Sequence, residues 1–575
     1  LSRRTDKPFE SSDKNSQNKE IHQAETHLKK HTPPIQQDIF TSRKQLMDYF
    51  TVDGVVLRTG YENKRDWYLL PIKEMLDNSI DFLWNNYRGS NSASINVVVN
   101  MDDELFHLKI QNSNDKVPVF PNLEAIFDYD MRYGSKQDVH IISRGMLGDA
   151  LKQILALGYL LLHTGDDGNS FTNKQWEHPL VIRHNKSERF VYVTVDKAAQ
   201  TGTVDIQLST NNQPYTDTEI ELTLPIIDEV RNSLTRDYIK EFCLKYVLFT
   251  TDISFNFTIN DLDLEVPGLH PIATYKDWSN ADSIHSYKPQ EFLSRIENIH
   301  EKDSTSVYDL LVKFREGSQI SKSPENEIKI SELLSTKDKA ENIEQLYKEL
   351  KHALPAPDKL SLPYKMNTKK RMDVLYARLV DSEIHHIGRD NKYPVYKLVR
   401  GTYNDNGLNY PFAFEILAVP FNEPYVDPNT TAAVAKENII IGAINYSLSP
   451  KENDFEGEYG YTGSGNIKDV LHWFGFNTSA DYNVKLPCVI IANLITPRRD
   501  PLGHGKTSIN IQPFARTIQN AVDKIALGMK TFRAAGYSFR RSAGSSISGG
   551  HTDDGKSSKS AKAIVFGWLD ENIGH

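Results

Sequence analysis

The sequence predicts an α+β protein of several domains, and three observations carry that expectation. Helical and β-rich stretches alternate from about 41 to 230, a mostly helical and strongly charged stretch fills 231 to 390, and strands return from 391 to 535. The length of 575 residues suits about three or four domains of roughly 150 residues each. A charge balance of 67 basic against 76 acidic residues gives −9, which excludes a protein that coats DNA with its whole surface. Any contact with nucleic acid then falls to a local patch or to a partner. Two cysteines, Cys243 and Cys488, exclude a disulfide scaffold or a Cys-based zinc module and fit a reducing compartment. The longest apolar run, Ile154 to Leu162, is too short to span a bilayer, and no secretory pattern is present. The expectation is a soluble cytoplasmic protein, nuclear or nucleoid-associated if it works on DNA, with no membrane partner.

Residues 1–40 are charged and amide-rich without apolar periodicity, the composition of a disordered arm. From 41 to 230, runs such as Ser94 to Val99 and Phe106 to Ile110 alternate as strands do, and a helix is expected from about Asp149 to Leu162. Within 231–390, the stretch Glu325 to Leu354 is dense in Lys and Glu at helical spacing, as a solvated face would be. Strands are expected at Tyr396 to Val399, Phe412 to Val419, Ile439 to Tyr446 and Cys488 to Leu494, followed by an amphipathic helix over Ala515 to Phe532. A Ser/Gly/Lys-rich linker covers 541–562, and apolar Ala563 to Leu569 reads as the start of a further element. With Leu1 in place of a starting Met, the chain is expected to be a piece of a longer one.

The most informative segment runs from Leu69 to Trp84. Pro71 suits a first helical turn, and Ile72, Met75, Leu76, Ile80 and Leu83 recur at three-to-four spacing as a buried stripe. Glu74, Asn78, Asp81 and Asn85 form a second stripe beside it. One helix thereby offers a carboxylate and, one turn on, an amide oxygen, a pairing suited to activating water and holding Mg²⁺. A plain polar outer face would give the same pattern.

Glu-x-x-x-Asn-Ser-x-Asp resembles the first motif of the Bergerat-fold (GHKL) ATPases, which include gyrase B subunits, histidine kinases and the topoisomerase VI B subunit. The resemblance implies that Glu74 is the general base and that Asn78 holds Mg²⁺ against the ATP phosphates. It extends to an adenine box after the strand ending at Ile110, where Asn112 stands at the family's Asp position. Asn114 and Lys116 stand where that family has glycines. An amide oxygen still accepts from an exocyclic amine. The phosphate box is matched by Ser143-Arg144-Gly145-Met146-Leu147-Gly148 ahead of a helix, where backbone N–H groups favour anions, with Arg144 and Lys152 adding charge. Gly202-Thr203, opening an alternating strand, is similar to the last box, in which the Thr hydroxyl supports the site.

Arg499 to Thr507 ends in Gly-Lys-Thr but fails as a P-loop, because Asp500 takes the first-glycine position. Topoisomerase VI B relatives carry a βαβ transducer domain whose lysine reaches the γ-phosphate, and Lys506 is the matching candidate. His385-His386 have no further ligands nearby and do not make a metal site. His285-Ser286-Tyr287 reads as packing, and Arg498-Arg499, Arg533, Arg540 and Arg541 are local basic groups that would suit DNA phosphates. The resemblance therefore implies a Bergerat ATPase domain over 41–230, a helical insertion over 231–390 and a transducer-type domain over 391–540. Its cofactors would be ATP and Mg²⁺, and its partners DNA, a second copy on ATP binding, and a topoisomerase VI A-type cleavage subunit or fused module. The alternatives are a GHKL ATPase outside the topoisomerases and a nucleotide-binding module with weak or no hydrolysis.

Overall fold

The computed structural model describes residues 48–534 with interruptions. The segments outside the description include 1–47, 114–125, 130–139, 145–149, 273–280, 315–328, 383–393, 421–438, 474–487, 499–509 and 535–575. The expected arm, the Ser/Gly/Lys-rich linker, His385-His386 and Lys506 all fall there. Among the described residues no helix is long and apolar enough to cross a membrane.

The chain enters through helix α1 (Val52–Thr59). Thr51 caps its start by accepting from Gly54 N–H, and Gly60, at φ 69°, closes its end in the left-handed conformation that glycine takes without cost. A short 3-10 turn capped by Asn63 leads into α2 (Leu69–Asn86). The hairpin β1 (Ser94–Met101) and β2 (Leu105–Ser113) follows, then α3 (Ala150–Leu162), beginning within a residue of its expected start. Strands β3 (Leu180–His184), β4 (Ser187–Asp196) and β5 (Thr201–Leu208) come next as a meander, and β6 (Thr218–Pro225) returns beside β3. Helix α4 (Arg236–Val247) and the hairpin β7 (Ser254–Ile259) and β8 (Leu262–Val266) complete this part.

These eight strands form one sheet in the order β5-β4-β3-β6-β2-β1-β7-β8, antiparallel except where β7 lies parallel to β1. In β1, Ile95, Val97 and Val99 are buried while Asn96, Val98 and Asn100 are not, so one face carries the core and packs under the helices. The boundary expected at 230 falls inside this sheet. The charged composition after 230 masked a strand pair, and the first sheet runs to Val266.

A helical part follows with a core of its own, in which α5 (Pro289–Glu297) and α6 (Lys339–Ala353) pack through Phe292, Ile296, Ile343 and Tyr347. The expected packing role of His285-Ser286-Tyr287 is met. The His285 ring nitrogen Nε2 lies 2.8 Å from the Leu354 carbonyl, and Ser286 Oγ donates to the Asn409 carbonyl.

Helix α7 (Thr368–Asp381) then leads into β9 (Val395–Asp405), β10 (Leu408–Pro420), β11 (Ile439–Ile444) and β12 (Ser447–Leu448). A two-stranded ribbon, β13 (Gly457–Tyr459) and β14 (Gly463–Gly465), precedes α8 (Ile467–Trp473), β15 (Cys488–Ile495) and α9 (Ala515–Ala534). The second sheet has the order β12-β11-β15-β10-β9, and β11 and β15 are parallel, joined by a crossover that contains α8. Every residue of β15 is buried. Val489, Ile491 and Ile495 join the core of the first sheet, whereas Ile490, Ala492 and Leu494 face the core under α8 and α9. The protein is thus mixed α+β, with two mixed sheets.

Candidate functional site

Helix α2 presents two different faces. Ile72, Met75, Leu76, Ile80 and Leu83 are almost wholly buried, and α2 packs on β2. Burying such side chains contributes about 1.5–3 kcal/mol each, enough to fix which way the rest of the helix points. Asn78 is exposed and Glu74 is part-buried, one turn apart, so both reach the same open side of the helix. The expected polar stripe divides there, because Asp81 is buried and accepts the backbone N–H of Arg144 at 3.2 Å.

Asn112 stands near the end of β2, on the same face as the buried residues Phe106, Leu108 and Ile110. It is 5% exposed, and its Oδ1 has no hydrogen-bond partner among the described residues. Its partner across the sheet is Thr218, the first residue of β6, whose hydroxyl lies 3.1 Å from His184 Nδ1. Beside them Gln111 Nε2 donates to Asp217 Oδ2 at 2.7 Å.

Thr203 is not brought to this place. It is exposed on the edge strand β5, with β4, β3 and β6 between it and β2. The threonine beside Asn112 in the sheet is Thr218. The signal was present in the sequence, since Thr218 opens its own alternating run, Thr218-Glu219-Ile220-Glu221-Leu222-Thr223-Leu224. Lys152 lies fully buried on the first turn of α3. Gly145, Met146, Leu147, Gly148 and Lys506 lie outside the described residues, so of the expected phosphate box only Arg144 is described, with α3 following it.

Arg144 does not face solvent. Its Nη2 donates to Thr250 Oγ1 at 2.6 Å, its Nη1 donates to the Tyr446 carbonyl at 2.5 Å, and its guanidinium lies 4.4 Å from the ring centroid of Trp84. Arg498, a candidate for DNA phosphates, pairs with Asp405 and lies over the Tyr410 ring.

The residue that sequence reasoning passed over is Asp77, between Glu74 and Asn78 on α2. It is 1% exposed. Its Oδ2 accepts from Lys73 Nζ and from Ser447 Oγ, each at 2.8 Å, and its Oδ1 accepts from the Tyr246 hydroxyl. Arg144 Nη1 stands 3.8 Å away. Burial works against the Asp77 charge, but Lys73 and Arg144 outweigh it and lower the carboxyl pKa. Burial likewise opposes the Lys73 charge, while Asp77 and Glu74 raise its pKa well above the lysine value. Burial and then the Asp77 charge keep the Tyr246 hydroxyl protonated. The site is therefore an exposed Asn78 and a part-buried Glu74 backed by a buried, charge-compensated interior. No protein-family model matches this chain, and no curated protein matches it.

Proposed function

We propose that this chain is an ATP-operated, dimerising clamp of the Bergerat class, similar to the B subunit of topoisomerase VI, which couples ATP turnover to DNA capture or strand passage by a DNA-cleaving partner or module. The observation that carries the nucleotide reading is the buried, unpartnered Oδ1 of Asn112 on the strand that packs against α2. Such an atom is costly unless a donor arrives, and the exocyclic amine of adenine is a donor of the right kind. The exposed Asn78 amide and part-buried Glu74 one turn before it supply the other two functions expected of that helix.

In this reading Glu74 takes the proton of the water that attacks the γ-phosphorus, and the bridging oxygen leaves on ADP. Nucleotide-bound Mg²⁺ is commonly held by one or two protein groups and the substrate phosphates. When bound, the ion would neutralise charge on the phosphates; Asn78 would be its protein ligand. The parallel β11–β15 pair with its helical crossover supports a transducer role for the second sheet.

Calorimetric titration of wild type and Glu74→Ala with ATP and Mg²⁺, together with phosphate release, tests this. Wild type should bind and hydrolyse, and Glu74→Ala should bind with hydrolysis reduced at least about 100-fold, the lower range for loss of a general base. A wild type that neither binds nor hydrolyses ATP sinks the reading. Equal hydrolysis by both proteins removes Glu74 from its role. ATP-driven strand passage in the complete assembly separates a topoisomerase from a clamp that only dimerises.

A further inference from the structure

Tyr446, in the β11–β12 turn, and Ser447, the first residue of β12, reach from the second sheet onto α2. The Tyr446 ring stands edge-on to Trp84 with centroids 5.5 Å apart, and its carbonyl accepts from Arg144. Ser447 Oγ donates to Asp77. The turn itself is unusual, because Asn445 and Tyr446 have φ of 52° and 66°, a left-handed pair that hairpins of this length normally fill with Asn-Gly. A tyrosine persists there only where its surroundings over-determine it. They do so here. Asn445 and Thr496 exchange two hydrogen bonds, at 2.9 and 2.8 Å, and Tyr446 N–H donates to Asn493 Oδ1. Thr496 directly follows β15, on the chain that leads to Lys506.

Asp77 has Glu74 three residues before it and Asn78 immediately after it. Lys73 Nζ lies 2.8 Å from Asp77 and 3.4 Å from Glu74, so one ammonium is shared by the two carboxylates. With Ser447 and Tyr246 both donating, Asp77 leaves part of that ammonium to Glu74. If Ser447 withdraws, a buried carboxylate oxygen loses a donor, and the nearest replacement is Lys73, drawn away from Glu74.

We propose that Ser447 is a positioning residue through which the second sheet sets the placement of Lys73 and Glu74, so that the state of the second sheet governs hydrolysis. This rests on the ATPase reading of Glu74. The test measures ATP affinity by calorimetry and steady-state turnover for the full chain as wild type, Ser447→Ala and Ser447→Thr. Ser447→Ala should hold ATP within about twofold of wild type while kcat falls about tenfold, and Ser447→Thr, which keeps the hydroxyl, should restore most of kcat. Lys73→Arg, which moves the cation without removing it, gives a second measurement and should also lower kcat at unchanged affinity. Wild-type kcat in Ser447→Ala, equal loss of affinity and turnover, or failure of the Thr variant to rescue overturns the coupling alone. A wild type without ATP binding or hydrolysis overturns the ATPase reading first and the coupling with it.

Discussion

Asn112 holds a buried carbonyl oxygen that no group among the described residues satisfies. Leaving such an atom unpaired costs about 1–3 kcal/mol, which a ligand donor would recover. Leucine at this position would extend the apolar face of Leu108 and Ile110. Asn112→Leu should therefore keep or raise the melting temperature while ATP affinity falls at least about tenfold, about 1.4 kcal/mol. A variant that binds ATP as wild type does would remove Asn112 from the base pocket. Asn112 drew attention in the sequence only through the family resemblance, and the strand expected to end at Ile110 runs on through it to Ser113. Its pairing with Thr218 was not legible, because that pairing depends on β6 lying beside β2. Asp77 was read only as part of a helical pattern, because its partners Tyr246 and Ser447 lie 169 and 370 positions away along the chain.

The connection between α4 and β7 gathers three buried arginines. Thr250 receives Arg144 on its hydroxyl and Arg378 on its carbonyl, and Thr251 Oγ1 accepts from Arg371. Asp252 beside them accepts from Trp84 Nε1 at 2.9 Å, yet its other oxygen has no partner among the described residues. Burial raises its pKa from 3.8 to about 6, with the Trp84 hydrogen bond pulling the other way. The fold thus prefers the protonated acid. That preference is fully present below the unfolded value and is lost as pH rises through about 6, so at neutral pH the charge costs of the order of 2–3 kcal/mol. Asp252→Asn keeps an acceptor for Trp84 and removes the charge. Its melting temperature should exceed that of wild type at pH 7.5, with the gap closing as pH falls from 6 towards 4; a constant gap would contradict the assignment. The long helices were legible because apolar residues at three-to-four spacing need no distant partner, as in α3 and α9. The hairpin β7–β8 was not, since its place depends on β1, more than 150 residues earlier in the chain.

The two sheets belong to one continuous core, to which Val489, Ile491 and Ile495 of the second sheet contribute alongside Ile95 and Val97 of the first. Helix α7 fastens them. Arg371 makes a two-pronged pair with Glu415 of β10, at 2.7 and 3.1 Å, while also reaching Thr251, and Tyr396 donates to the same carboxylate. Breaking one side of such a buried pair costs about 3–5 kcal/mol because the other charge is stranded. Arg371→Met should split a single calorimetric transition into two as the sheets lose their shared clasp, and Arg371→Met with Glu415→Leu should regain most of the stability. One transition at the wild-type temperature in Arg371→Met would show that the clasp does not join them. The parallel pairing of β1 with β7 also has a consequence for how the molecule comes into being. Because β1 is an inner strand only once β7 is laid against it, the first sheet stays open-edged on the ribosome until the chain beyond Ile259 has emerged. A fragment cut at residue 230 would carry that open edge permanently, with Val97 and Val99 on it. Any fragment meant to keep the first sheet whole needs the chain at least through Val266.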